Sequence, residues 1–408
     1  MGVINVYDET IRIREVINVS GTMTALGSCS AAPEVVEAMA YILPKFVDML
    51  ALQREASRVI QKVIGSEAGC ITSCAAAGIA ISVAACMTGA DMAKVEQLPD
   101  VKGLKNEVII QRGHMVWFGA SVGQMVRLTG ATIIEIGDVN RAGVYQLEGA
   151  IRESTAAALY VVSHHTVQYG QIALEDFCEV CHKYGVPVIV DAASESNMRY
   201  FIDCGADLVC FSGHKFLAGP TSGIIAGRKD LVQACLYHQF HGIGRAMKIG
   251  KEGIVGVLAA LLRWDKIDHQ VEKERQQRIV EKFIKNLHGL KGAVISIEPD
   301  PTGNPIDRVK VYVDPRLAGI TASIIAYELA KHDPPIIVRA HHVDEGYFLL
   351  DPTTVVEEEA VDVVCEAIRQ LFELAPEKKR ALCARYQESP NAADALVQQL
   401  AHWLDEPA

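Results

Sequence analysis

Val188-Ile189-Val190-Asp191-Ala192-Ala193-Ser194 and, further along, Phe211-Ser212-Gly213-His214-Lys215 are the two stretches whose reading decides the fold. Three β-branched apolar residues ending on an acid read as a strand buried on both faces, as in a parallel sheet. An Asp at the C-terminal end of such a strand points into the crevice where open α/β sheets bind ligands, and Lys215, just beyond the next apolar run, faces the same crevice. Outward from this pair, residues 30–230 alternate helical patterns with short β-branched runs, which predicts an α/β architecture with helices on both faces of a mostly parallel sheet. The expected strands are Glu107–Ile110, Ala131–Ile136, Ala158–Ser163, Pro187–Asp191 and Asp207–Ser212. An amphipathic helix over Leu174–Tyr184, closed by Gly185, lies between the third and fourth.

A helical connector over 254–287 then leads to a smaller α+β lobe. Its expected strands are Ala293–Ile297, Arg308–Val313 and Tyr347–Leu350, with an extended Pro335–Arg339 and helices near 321–331 and 356–373. The tail from Pro376 reads as one or two polar helices broken at Pro390. The expected boundaries are an N-terminal segment 1–30 that contributes to the site, a large domain 31–265, a small C-terminal domain 266–375 and the helical tail 376–408.

The chain has 408 residues, 50% of them hydrophobic and 22% charged, which excludes disorder and a miniature disulfide scaffold and allows a sizeable core. Thirty-nine Lys plus Arg against fifty Asp plus Glu leave a formal charge of −11, so nucleic acid is not an expected partner. Eleven cysteines scattered through apolar segments read as reduced thiols, which suits a cytoplasmic location. The N-terminus carries no secretory pattern. The stretch from Ala68 to Ala90 has no charge, but its Ala, Gly, Ser, Thr and Cys content reads as a helix packed closely on a sheet rather than a membrane span.

Lys215 sits on a Ser212-Gly213-His214 turn and is followed by Gly219-Pro220-Thr221-Ser222-Gly223, a setting suited to close ligand approach. Desolvation lowers a lysine's pKa and makes the amine a nucleophile toward aldehydes, so Schiff-base chemistry follows. Asp191 then gains a role, because a carboxylate beside a pyridine nitrogen keeps that ring protonated; together they point to pyridoxal 5'-phosphate. The small-residue turn Ser73-Cys74-Ala75-Ala76 opens a helix and is a candidate phosphate cradle or a packing turn. Ser212 and Thr221 are further hydroxyl donors or turn caps. His114 follows a strand end and suits stacking on the cofactor ring, while Gln168, or alternatively Thr166 or His165, is placed to reach the ring hydroxyl.

These segments resemble the fold-type I pyridoxal-phosphate enzymes, and within them the selenocysteine-synthase-like branch that includes the D-glucosaminate-6-phosphate ammonia-lyase-like proteins. The resemblance is carried by Val16–Thr24, the Ser73–Gly78 turn, Asp191, Ser212-Gly213-His214-Lys215, Gly219–Gly223 and Pro334–Arg339. It implies a mainly parallel seven-stranded sheet in the large domain, Lys215 as the cofactor lysine, Asp191 on the ring nitrogen, and His114 stacked on the ring. The turn at Ser73, Cys74, Ala75 and Ala76, with Ser212, holds phosphate; His214, where such enzymes usually have Asp, lies beside the lysine. Arg339 is implied as the clamp on a substrate carboxylate, with Thr22 and Thr24 nearby in the matching N-terminal segment. Pairing of Arg339 with Asp344 or Glu345 is the alternative. The seleniumtransferases carry an additional tRNA-binding region before the Asn18–Thr24 segment, so tRNA is not the expected substrate.

The expected activity is that of a lyase acting on a small amino acid or amino sugar acid. Lys215 removes the α-proton, a β-substituent leaves, and a 2-oxo acid and ammonia are released. A racemase is the rival, needing a second acid/base such as His114, His165 or a Cys; a C–S lyase, an aldolase or a transferase is further off. A homodimer or higher even oligomer is expected. Cys178-Glu179-Val180-Cys181-His182 matches a haem-attachment string by chance, and His341-His342 has no further ligand spacing, so no metal is expected.

Overall fold

The computed structural model describes residues 2–6 and 9–386. Strands β1 (Gly2–Val6) and β2 (Glu9–Ile13) pair antiparallel and precede a short β3 (Ile17–Val19). Seven strands then build the main sheet: β4 (Ala68–Thr72), β5 (Glu107–Gln111), β6 (Thr132–Ile136), β7 (Thr155–Val161), β8 (Val188–Asp191), β9 (Leu208–Ser212) and β10 (Gly223–Gly227). Their order is β4-β10-β9-β8-β7-β5-β6, with β10 antiparallel to both neighbours and the other pairings parallel. The mostly parallel seven-stranded sheet is therefore as expected.

The two faces of this sheet show the two-residue period of a strand. Val188, Val190, Val209 and Phe211 join one buried cluster, while Ile189, Leu208 and Cys210 join the other. Helix Ala75–Thr88 lies in the second cluster and is apolar all round, as a helix buried on every side must be. Gly78 sets how near it can come: a Cβ there would sit 3.2 Å from Cys210 Sγ and 3.5 Å from Ile225 Cγ1.

The structure corrects the sequence reading at several elements. The uncharged stretch from Ala68 is not one helix; it is β4 followed by helix Ala75–Thr88. In Ala-Gly-Cys-Ile-Thr only the last two residues are β-branched, and Gly69 is needed because Ile60 of helix Met49–Ile64 packs against its backbone. β10, for which the sequence reading set no strand, is a Gly-bounded strand too short to declare itself. β7 begins three residues early, at Thr155, and ends at Val161, because Thr155, Ala156 and Ala157 are buried despite their small size. The connector is two helices, Lys251–Trp264 and His269–Leu287, parted where Asp268 caps the second by accepting from the Gln270 N–H at 2.9 Å.

The chain divides into two compact units. One comprises residues 27–267 with 301–304 and holds the main sheet. The other, residues 1–26, 268–300 and 305–408, holds β11 (Ala293–Pro299), β12 (Asp307–Val313), β13 (Ile336–Val338) and β14 (Tyr347–Leu350). Within it β11, β12 and β14 form an antiparallel sheet and β13 runs parallel to β3. Helices His269–Leu287 and Glu359–Glu373 contribute Phe283, Leu287, Val364 and Ile368 to its core. The helix Pro376–Tyr386 follows, and the expected break at Pro390 lies outside the described residues.

Because Gly78 lies on sheet atoms rather than on open space, Gly78→Leu should destabilise the protein by about 1–3 kcal/mol. A thermal melt unchanged by this substitution would contradict the helix seat.

Candidate active site

All the parallel strands of the main sheet end at one edge, and the antiparallel β10 begins there. The register pairs Gly223 with both Ser212 and Thr72, and Asp191 with both Val161 and Cys210. The edge therefore collects the ends of β4, β8 and β9 together with the start of β10, the position at which α/β sheets take ligands.

Asp191 is 6% exposed at this edge and accepts from the Ala193 N–H at 3.2 Å. Burial pushes its carboxyl up to about 6, while the Lys215 charge and the Ala193 N–H pull the other way. Lys215 is half-buried and its Nζ donates to Ser194 Oγ at 2.5 Å. The backbone around it turns tightly: the Gly219 N–H bonds the Gly213 carbonyl at 2.9 Å, and Ala218 takes a positive φ of 53°. A Cβ on Gly213 would fall 2.1 Å from Ser222 Oγ, so this turn closes only around glycine.

The Ser73–Ala76 turn opens helix Ala75–Thr88, whose first N–H groups have no intrahelical acceptor and carry the positive end of the helix dipole. Cys74 caps the helix, its Sγ accepting from the Ala77 N–H at 3.4 Å. A Cβ on Gly223 would lie 2.3 Å from the Cys74 carbonyl and 2.8 Å from the Ala75 nitrogen, so β10 starts in direct backbone contact with this turn. Thr72 Oγ1, one residue before the turn, is buried with no hydrogen-bond partner among the described residues. Ser212 Oγ and His214 Nδ1 are 3.1 Å apart, both residues buried, and burial together with the Lys215 charge lowers the His214 pKa. Thr221 is exposed in the loop before β10.

His114 lies in a short turn after β5, 3% exposed. Its Nδ1 accepts from the Val161 N–H at 3.2 Å, and its ring meets Tyr160 edge-on with centroids 4.5 Å apart. Burial lowers its pKa to about 4, so at neutral pH it is uncharged with its proton on Nε2. Gln168 is exposed and its Nε2 donates to the Ser163 carbonyl at 2.9 Å and the Thr166 carbonyl at 2.7 Å, which folds the 163–168 loop upon itself.

In the other unit, Arg339 is buried at the end of β13 and donates to the Ser20 carbonyl at 3.3 Å. It forms no ion pair among the described residues; Glu345 pairs with His342 instead, at 2.9 Å. Burial and the neighbouring Arg308 guanidinium lower its pKa. Arg308 itself is paired with Asp300 at 2.8 Å and Asp351 at 2.6 Å. Thr22 is half-buried and Thr24 exposed in the segment after β3. Cys178 and Cys181 lie buried in helix Leu174–Lys183, their thiols pushed up to about 12, and His182 is 2.8 Å from Asp207. Among the described residues no group of three His, Cys, Asp or Glu is placed to hold a metal, and no helix is long and apolar enough to cross a membrane.

Sequence reasoning missed Ser194 as the partner of Lys215, and Gly213 and Gly223 as the residues that let the backbones meet. Ser194 stands in the quoted strand-end segment; the glycines were legible only as loop formers.

A solved structure titled D-glucosaminate-6-phosphate ammonia-lyase matches with a TM-score of 0.79 at 41% identity, over 88% of this chain and 96% of that one. An alanine–glyoxylate aminotransferase from Nostoc sp. matches with a TM-score of 0.59 at 18% identity, over 91% and 100%, a likeness of fold alone. The molecule thus has the architecture of a fold-type I pyridoxal-phosphate enzyme. A family model described as L-seryl-tRNA selenium transferase covers residues 16–289, and the chain belongs to that family. D-glucosaminate-6-phosphate ammonia lyase of Salmonella typhimurium is 42% identical over 371 residues, 91% of this chain and 99% of that protein. A 5'-C-glycyluridine monooxygenase-decarboxylase of Streptomyces sp is 37% identical over 339 residues, 83% and 85%. The resemblance stated from the sequence is borne out in both fold and family.

The pKa of Asp191 carries a stability signature. Its value of about 6 lies above the ordinary 3.8, so ionisation is the unfavourable event in the folded state. Stability from this group is fullest below about pH 4 and falls as pH rises through 6. For cofactor-free protein, melting temperatures of wild type and Asp191→Asn should coincide near pH 4 and separate by pH 7 with the variant higher. A gap that does not change with pH would contradict the buried carboxylate.

Proposed function

We propose that this protein is a pyridoxal-phosphate-dependent lyase that converts a small amino acid or amino sugar acid to a 2-oxo acid and ammonia by α-proton removal and β-elimination. The observation that carries the reading is the placement of Asp191 at the end of β8 and of Lys215 in the turn after β9 at the same sheet edge, with Lys215 Nζ bonded to Ser194 three residues beyond the acid. The donor set fits the cofactor. A carboxylate made unfavourable by burial gains from a protonated ring nitrogen beside it, and the Ser73–Ala76 turn offers unpaired helix N–H groups next to the orphaned Thr72 hydroxyl. When bound, the group supplies an electron sink for the pair left at the substrate's α-carbon.

The chain's own residues divide the tasks among them. Lys215 would hold the cofactor aldehyde through its amine, and the free Nζ is the base that takes the α-proton. Asp191 holds the ring nitrogen cationic. Ser212, with the Ser73–Ala76 turn, binds phosphate, and Thr221 and Gln168 border the same edge. His114, a neutral imidazole, would stack on the ring, and Arg339, a buried guanidinium with no ion pair among the described residues, would take the substrate carboxylate with Thr22 and Thr24 in the adjoining segment.

The racemase rival needs a second acid opposite Lys215, and burial, which lowers the His114 pKa to about 4, disfavours His114 in that role. The 42% identical relative is named for an amino sugar acid phosphate, which makes that class the first to test. A homodimer or higher even oligomer remains part of the proposal.

Purified protein should be yellow, and Lys215→Ala should abolish both the colour and keto-acid release, the latter by roughly a thousandfold or more. Asp191→Asn should keep part of the cofactor binding and lose turnover by on the order of a hundredfold. The decisive assay supplies D- and L-amino acids and amino sugar acids in heavy water while following keto acid, ammonia, α-deuterium and oxygen uptake. Deuterium incorporation without keto acid means racemisation, and oxygen uptake with carbon dioxide release means the chemistry named for the 37% relative. Either outcome would overturn the lyase reading.

A further inference from the structure

Resting on the assignment of Lys215 above, we propose that Ser194 and Asn304 act together as positioning residues for the Lys215 amine. The Ser194 hydroxyl is the fixed acceptor for Nζ, and Asn304 is the clamp that fixes Ser194.

The segment 193–197 between β8 and the next helix, Met198–Asp203, has no regular hydrogen-bond ladder of its own. Such a segment is expected to move unless something ties it down. Asn304 does so at three consecutive residues. Its Oδ1 accepts from the Ser196 N–H at 3.0 Å and from Ser196 Oγ at 2.8 Å, while its Nδ2 donates to the Ser194 carbonyl at 3.3 Å and to Glu195 Oε2 at 3.0 Å. Thr302 completes the clamp, its Oγ1 donating to Glu195 Oε1 at 3.1 Å and accepting from Asn304 Nδ2 at 3.0 Å. Glu195 is 8% exposed, a buried carboxylate that needs these donors.

A lysine side chain has four rotatable bonds and positions its amine poorly without an acceptor. Ser194 Oγ, 2.5 Å from Nζ, supplies one that the Asn304 clamp holds in register with Asp191, three residues earlier on the same strand exit. The clamp reaches across 110 residues of sequence, yet residues 301–304 and the 193–197 segment belong to one compact unit.

Because Ser194 accepts from the protonated Lys215 nitrogen, it favours that protonated form. In the holoenzyme, Ser194→Ala should lower the pH midpoint of the cofactor's absorbance change by about one unit and reduce kcat roughly tenfold with KM little altered. Ser194→Thr, which retains the hydroxyl, should restore the midpoint. Asn304→Ala should move the midpoint in the same direction by less, and the double variant should be no worse than Ser194→Ala alone, since both act through one hydrogen bond. An unmoved midpoint in Ser194→Ala, or single shifts that simply add in the double variant, overturns the proposal. If Asn304→Ala does not fold, the Ser194→Ala and Ser194→Thr pair decides by itself. A yellow, lyase-active wild type whose Ser194→Ala midpoint stays fixed removes this inference alone, whereas a colourless wild type removes the assignment of Lys215 beneath it.

Discussion

A carboxylate buried where strands end is unfavourable by itself, and the organisation of the larger unit follows from that constraint. Asp191 is nearly inaccessible, its one strong backbone donor is Ala193, and the Lys215 charge offsets only part of the desolvation. Such an arrangement persists when a cationic partner spends its time there, which is what a protonated heterocycle would be. The sheet places the acid, the turn after β9 places the amine, and β10 returns to the same edge to close the cradle.

The surrounding polar groups are kept neutral by the same means. His114 and His214 both lose basicity through burial, and His214 does so further because it neighbours the lysine charge. At this edge His114 and His214 are thus held as neutral imidazoles beside the Lys215 cation and the Asp191 and Glu195 carboxyls. In the smaller unit Arg308 is neutralised twice over while Arg339 has no ion pair among the described residues, a difference in pairing between two buried guanidiniums of one cluster.

Much of this was legible because the relevant signals are local. Val188–Asp191 and Leu208–Ser212 announce themselves through β-branched runs with a charged or polar terminus, and the Lys215 turn through its glycines. β4 and β10 were not legible, because their small residues are strand residues only by virtue of what packs on them: Ile60 over Gly69, and the Cys74 backbone against Gly223. The hydrogen bond from Lys215 to Ser194 was half legible, since Ser194 stood in the quoted segment. Asn304 was not legible at all, as nothing in a Thr-Gly-Asn tip hints at a partner 110 residues away.

The reversed direction of β10 has a consequence for how this scaffold can vary. The connection from Ser212 to Gly223 leaves and re-enters the sheet at one rim, with both ends locked in register and backbone packed on backbone. Lengthening it would displace the amine, so this span tolerates neither insertion nor deletion.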